Sequence, residues 1–213
     1  YSAKQFHQVY QLLHNYCAVD LGSLYLDVLK DRLYTLPEAS PARRSAQTVL
    51  LHIAEAMTRW IAPILSFTAD EIWKLLPGDR SQTMFIQTWY PVPAVTANAV
   101  SDADWAVLLE AREAVKKELE TLRAAGTIGS ALDADVALYA DGAAEAALAK
   151  VGDELRFWFI TSGASAQQLS LKPATAREAK LESGTSIWIA TTATTAEECS
   201  RGWHRRRDVG QHT

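Results

Sequence analysis

The stretch SPARRSAQTVLLHIAEAMTRWIAPILSFTADEIWKLLPG, Ser40 to Gly78, constrains the fold of this chain more than any other. Ser40 is a good N-cap, and Pro41 suits the first helical position, where a missing N–H does no harm. Val49, Ile53, Ala56, Met57, Trp60, Ile61 and Ile64 then recur at steps of three and four, an apolar stripe that faces a core. Pro63 has no amide proton and crowds the previous turn, so it is expected to kink or stop the helix. The restart is predicted at Thr68, which with Glu71 spells a capping box, while Phe67 staples to Ile72 across the cap. Pro77-Gly78 stops the second helix. The result is a long helix, a proline break and a short second helix, against which the flanking segments pack.

Upstream, residues 2 to about 19 read as a helix with Phe6, Val9, Tyr10, Leu13 and Cys17 on its buried stripe. A second helical segment starts near Asp20, carries Leu24, Tyr25, Val28 and Leu29 inward, and ends in KDRLYTLP, where Thr35 and Pro37 break the pattern. His7 and His14 lie near one face, but without further ligands nearby they read as solvent-facing or capping side chains.

Downstream, MFIQTWYP is a possible extended piece, and PVPAVTANAVS has the composition of a linker. Ser101 and Asp104 then cap a helix whose stripe is Trp105, Leu108, Leu109, Arg112, Val115, Leu119 and Leu122. Its charged outer face holds Glu110, Arg112, Glu113, Lys116, Lys117, Glu118 and Glu120, and Gly126 is its stop. Strands are predicted at Asp135–Ala140, Leu155–Ile160 and Ser186–Thr191, with an alanine-rich helix at Ala143–Lys150 between the first two. The apolar WFI run suggests a strand buried on both faces, or one pressed between the sheet and the first-half bundle. The fold class is multidomain: an α-helical bundle over 1–90, a linker over 91–101, a small α/β domain with a short mixed sheet over 102–195, and a basic tail over 196–213.

A length of 213 residues with 48% hydrophobic and 22% charged content is ordinary for a globular protein with a real core. No apolar run approaches the roughly 20 residues needed to span a membrane, so no membrane partner is expected. The N-terminal YSAKQFHQVYQLL is an amphipathic pattern unlike a secretory signal, and a chain that opens on Tyr1 is expected to be a piece of something longer. Cys17 and Cys199 make no disulfide framework, which favours a reducing, cytoplasmic compartment.

A net charge of −4 argues against indiscriminate nucleic-acid binding but leaves room for a local basic face. Two clusters qualify: Lys30, Arg32, Arg43 and Arg44, and Arg201, Arg205, Arg206 and Arg207. Each can also be read as an ordinary solvated surface. No phosphate-binding loop, dinucleotide fingerprint, nucleophile elbow or H-E-x-x-H occurs. Asp70 and Glu71 fall in a first helical turn, where acids favour the helix dipole, so they are read as structural and no catalytic residue is assigned.

Three blocks carry a resemblance further. YLDVLKDRLYT (Tyr25–Thr35), RRSAQTVLLHI (Arg43–Ile53) and APILSFTADEIWKLLP (Ala62–Pro77) resemble the region after the catalytic core in class I aminoacyl-tRNA synthetases of the Ile/Val/Leu subgroup. LLEAREAVKKELETLRAAGTIGSALDADVALYA (Leu108–Ala140) and LRFWFITS (Leu155–Ser162) resemble the junction domain that follows the anticodon-binding bundle. The IGS-containing block favours the bacterial isoleucine family over the valine and leucine ones. ECSRGWHRRRDVG (Glu198–Gly210) resembles the start of that family's zinc-binding tail, which opens C-x-x-C-W-H. Cys199 matches the first ligand, but Gly202 stands at the second and no later cysteine pair follows. Cys199 with His204 and His212 supplies three ligands at most where zinc needs four, so no structural zinc is expected, and the tail is expected to pack differently or to be loose.

The family's HIGH-type and KMSKS-type motifs and its editing domain are missing. The resemblance therefore implies a non-catalytic part of a longer ligase, with no cofactor of its own. The full-length family uses ATP with Mg to charge its tRNA, and zinc where the C-terminal site is intact. The implied partners are an isoleucine tRNA and the catalytic domain in cis. The bundle would hold the anticodon stem-loop: cations neutralise phosphates, and unstacked bases lie on aromatic or guanidinium planes. The candidates are Lys30, Arg32, Tyr34, Arg43 and Arg44, brought together by the short loop TLPEAS, and in the tail Arg201, Arg205 and Arg206 with Trp203 as a stacking surface. Arg59, four residues after Glu55, reads either as a contact or as half of a helical ion pair. The rival readings are a helical protein–protein interaction module, with Trp60, Trp73 and Trp89 as core or interface, and a free-standing enzyme with an unrecognised site.

Overall fold

The computed structural model describes residues 1–94 and 100–210. The predicted linker at 91–101 lies partly outside the described residues, at 95–99, and so does His212. The chain divides into two compact units, Tyr1–Thr96 and Ala97–Thr213.

In the first unit, α1 (Phe6–Asn15) and α2 (Leu26–Tyr34) are joined without a turn, because Tyr16–Tyr25 is a π-helix. The wide register shows in the hydroxyl of Ser23, which donates to the carbonyl five residues back, Ala18, at 2.8 Å. No boundary falls at the expected position near Asp20, which lies inside the π-helix; the register changes on either side of it, at Tyr16 and at Leu26. The expected stripe of the first helix is largely open: Phe6 and Tyr10 are 46% and 57% exposed, and Cys17 is exposed. An apolar hollow of about 600 Å³ separates this part of the chain from the helix over Pro41–Ile61, lined by Leu12, Leu13 and Tyr16 on one side and Ile53, Met57 and Trp60 on the other.

The long helix α3 spans Pro41–Ile61 with Pro41 at its first turn, although the Ser40 side chain makes no capping bond. The proline break forms as expected: α3 stops at Ile61, and the turn over 62–65 is closed by the Ile64 and Leu65 N–H groups, which donate to Ile61 O at 2.9 and 2.7 Å. The restart differs from expectation, because α4 begins at Ser66 (Ser66–Leu75). Thr68 therefore falls inside the helix, no side chain caps it, and Phe67 is 88% exposed rather than stapled to Ile72. Because α4 starts at Ser66, Asp70 and Glu71 lie past its first turn rather than in it. Asp70 is held locally: it accepts from Thr83 at 2.9 Å and pairs with Lys74 at 2.6 Å.

A buried node ties α3, α4 and the segment after them together. Glu55, 8% exposed, pairs with Arg59 at 2.5 Å and with Arg80. Both guanidiniums lie over the Trp73 ring, at 4.8 and 4.5 Å from its centroid. Arg59 is also 5.2 Å from the Tyr90 ring, whose hydroxyl meets His52 Nδ1 at 2.6 Å. Arg59 is thus half of an ion pair, and a paired charge is what its burial requires. MFIQTWYP is not extended at its start: Met84–Ile86 is a 3₁₀ turn that buries Met84 beside Ala62, Ala69 and Trp73.

The second unit opens with α5 (Asp102–Ala124), whose Ser101/Asp104 capping box forms as predicted. Gly126 follows with φ of 71°, the left-handed conformation that favours glycine past a helix end. Arg112 is not on the outer face. It is 3% exposed, its guanidinium donates to the Trp158 carbonyl, and the Trp158 indole N–H returns a bond to Leu108 O at 3.0 Å.

Then come β1 (Ala134–Ala140), α6 (Gly142–Val151), α7 (Leu155–Phe159), β2 (Gly163–Gln168), β3 (Arg177–Lys180) and β4 (Ser186–Ala193). The strands form a mixed sheet in the order β2-β1-β4-β3: β1 and β2 are parallel, the other pairs antiparallel, and β2 and β3 are the outer strands. Its core holds Leu138, Ile187 and Ile189 with Leu108 and Val115 of α5.

The predicted strand at Leu155–Ile160 is the helix α7. Leu155, Trp158 and Phe159 are buried, a helical spacing that six residues cannot separate from a strand in advance. Ile160 ends it at φ 56°, and the Thr161 N–H reaches back to Arg156 O at 2.9 Å. The tail adds a small ribbon, β5 (Glu197–Glu198) with β6 (Arg205–Arg206).

Candidate nucleic-acid interface

The first predicted cluster sits where α2 ends, the loop 35–40 crosses and α3 begins. The loop is set by its own hydrogen bonds: the Thr35 hydroxyl donates to Asp31 O at 2.7 Å, and Ser40 N–H to Pro37 O at 3.0 Å. Lys30 and Tyr34, four residues apart on α2, lie on one face of it. Tyr34 is 80% exposed. Lys30 pairs with Asp27 at 2.8 Å, both within reach of solvent. Such a pair contributes about 0–1 kcal/mol, so a phosphate can displace the carboxylate.

Arg44 is exposed in the first turn of α3, where the helix dipole disfavours a cation and an anionic ligand would relieve it. The other two face inward. Arg43 turns back to the loop, its Nη1 donating to Leu36 O at 3.0 Å. Arg32 is half-buried; burial pushes its pKa below the usual arginine value, while Tyr25 and Asp31 pull it back up. Of the five, then, Lys30, Tyr34 and Arg44 reach solvent, and Arg32 and Arg43 are partly built into the corner beneath them.

The second predicted cluster is not loose. The Arg205 N–H donates to Ser162 Oγ at 2.6 Å and its Nε to Asp133 Oδ1 at 2.6 Å, while Nη2 lies 3.4 Å from Glu198. Arg206 forms a two-pronged pair with Asp208, at 2.8 and 2.7 Å. Arg201 is exposed, and Trp203 is 68% exposed on a left-handed backbone with φ of 57°. The Arg205 guanidinium holds the Asp133 carboxyl below the usual carboxylate range, helped by the Ser130 and Gly129 amides and opposed by burial. Asp133 and Ser162 were not singled out in the sequence. The S-x-x-D spacing of Ser130–Asp133 marks the carboxylate as a local cap, but not as the partner of an arginine 72 residues on.

Among the described residues no group of three or more His, Cys, Asp and Glu side chains is placed to hold a metal ion, and no helix is long and apolar enough to cross a membrane. Cys199 N–H bonds to His204 O at 2.9 Å and Trp203 N–H to Cys199 O at 2.8 Å, so the turn is closed by its own backbone.

The described residues thus form a helical unit with an aromatic and basic corner, followed by a mixed α/β unit. Residues 1–138 match the family described as the anticodon-binding domain of tRNA ligase, and the chain belongs to that family. Within it, the chain is similar to bacterial isoleucine–tRNA ligases. It is 50% identical over 212 residues to that of Thioalkalivibrio sulfidiphilus, covering 99% of this chain and 22% of the relative. It is 48% identical to that of Nitrosococcus oceani over 100% of this chain, and 50% identical to that of Legionella pneumophila strain Lens over 100%, again with 22% of each relative covered. The chain thus spans about a fifth of the length of the relatives it matches.

Proposed function

We propose that this chain holds the anticodon stem-loop of an isoleucine tRNA on behalf of a longer cytoplasmic ligase, and that it performs no chemistry itself. The observation that carries the reading is the family match over residues 1–138, which contains the Tyr34 corner. Lys30 and Arg44 neutralise backbone phosphates, Tyr34 offers its face to an unstacked loop base, and Arg32 and Arg43 hold the corner in shape. Arg201, Trp203 and Arg206 form a second contact from the tail. ATP with Mg belongs to the catalytic part of the full-length enzyme, and the chain holds no structural zinc. Dialysis against a chelator is therefore expected to leave its thermal midpoint unchanged.

Filter binding with an isoleucine tRNA transcript across about 50–200 mM salt tests the assignment. The double variant Lys30→Ala/Arg44→Ala is expected to weaken binding and to flatten the slope of log K against log salt by about 1–2. Unchanged affinity and slope would remove both residues from the interface. The interaction-module reading draws on Phe85, Ile86 and Trp89, which are 55%, 71% and 57% exposed around the 3₁₀ turn. It is favoured if no tRNA binds.

A further inference from the structure

Trp203 is the most exposed aromatic of the second unit among the described residues, yet it sits on a ribbon of two residues per strand. A two-stranded hairpin is marginal in water even at full length, so the ribbon alone cannot fix the indole. The fixing comes from Arg205, two residues on. It is bound by its backbone to Ser162 and by its side chain to Asp133, residues 43 and 72 positions away. Both anchors are themselves held. The Ser162 hydroxyl donates to the Leu132 carbonyl, and the second Asp133 oxygen accepts from Ser130 N–H at 2.9 Å and Gly129 N–H at 3.1 Å. His204, between Trp203 and Arg205, is buried and lies edge-on to Phe157 at 6.0 Å. The chain is thus gripped directly behind the indole.

We propose that Asp133 and Ser162 are positioning residues: with Arg205 they latch the 199–204 turn to the α/β unit and so pre-set Trp203 as a rigid stacking surface for an unpaired RNA base. Arg205 then serves the latch, and Arg201 and Arg206 flank the surface. The inference rests on the RNA-binding reading above. A stacking group already held in place loses less conformational freedom when the base arrives, so the latch contributes affinity without touching RNA.

Trypsin nicking and tRNA filter binding on the whole chain separate the two layers. Nicking at Arg201 follows the open population of the turn when closing outpaces cleavage. Asp133→Asn is expected to speed it about tenfold, and adding Arg205→Gln to that variant is expected to add little, because the one further contact it removes is the solvent-reached 3.4 Å pair with Glu198. Ser162→Ala shifts the rate in the same direction and keeps the test valid should Asp133→Asn misfold by circular dichroism. Trp203→Ala leaves nicking unchanged but weakens tRNA binding about tenfold. Asp133→Asn weakens it too, and the Asp133→Asn/Trp203→Ala pair is no weaker than Trp203→Ala alone. Unchanged nicking in both anchor variants overturns the latch. Faster nicking with tRNA affinity indifferent to Trp203→Ala overturns the stacking role, and a wild-type chain that binds no tRNA overturns the RNA-binding reading beneath it.

Discussion

Glu55 shows how one buried carboxylate sets the packing of a helical unit. Burial alone would raise its pKa, but the hydrogen bonds from Arg80 and Arg59 outweigh that and hold it below the usual value. A carboxylate depressed in the folded state contributes stability above its unfolded pKa of about 4.3, and the contribution is lost as pH falls through the lower folded value. Glu55→Gln is therefore expected to flatten the acid limb of a pH–stability curve measured by urea denaturation. Glu55→Ala, which strands two guanidiniums over Trp73, is expected to cost about 3–5 kcal/mol. Half of this node is legible in the sequence: Arg59 is four residues from Glu55 on one helix. The other half is not, because Arg80 reaches Glu55 only once the turn after α4 has formed. Ile160 is a second residue-scale case. A β-branched side chain at φ 56° costs about 1–2 kcal/mol, so Ile160→Gly is expected to lose less stability than removal of a half-buried isoleucine elsewhere.

At the scale of elements, long periodic or well-capped segments could be read in advance and short ones could not. α3, α5, α6, β1 and β4 follow from stripe, cap or alternation. α7 was misread because an apolar run of six residues satisfies either period, and its identity depends on Arg112 and Leu108 of α5 receiving Trp158. β2, GASAQQ, and β3, REAK, carry no strand signal of their own; each is a strand because a neighbour supplies the ladder. The π-helix is equally hidden, although Gly22 marks it. A Cβ there would stand 3.0 Å from the Cys17 carbonyl oxygen, a backbone atom that cannot retreat without lengthening the helix's own hydrogen bonds. Gly→Ala in an exposed α-helix gains about 1 kcal/mol. For Gly22→Ala that gain is expected to be absent in urea denaturation, and a full gain would mean the segment is an ordinary α-helix in solution.

Across the whole molecule, charge is unevenly spread. The net charge is −4, and a groove between α5 and β3 is lined by Glu110, Glu113, Glu118, Glu178 and Glu182 against two cations, Lys117 and Lys180. Of the basic candidates, Lys30, Arg44, Arg201 and Arg206 are exposed, and an RNA reading starts from them. Repulsion elsewhere makes binding depend on a few contacts and hence steeply on salt. What the resemblance supplied was the family, and what it could not supply was which basic residues the fold would spend on itself; Arg43 and Arg205 both bond inward. Consistent with the non-catalytic role proposed, the isolated chain is expected to show no isoleucine-dependent exchange of pyrophosphate into ATP. Measurable exchange would reassign it as an enzyme.

The outer strands of the sheet have a consequence for self-association. Three of the four residues of β3 are charged, and β2 has no large apolar side chain to offer a neighbour. An extended segment from a second copy that tried to zip onto either rail would find alternating charge on one side and glutamine and small residues on the other. Strand-to-strand pairing between copies is therefore disfavoured at both rails of this four-stranded sheet.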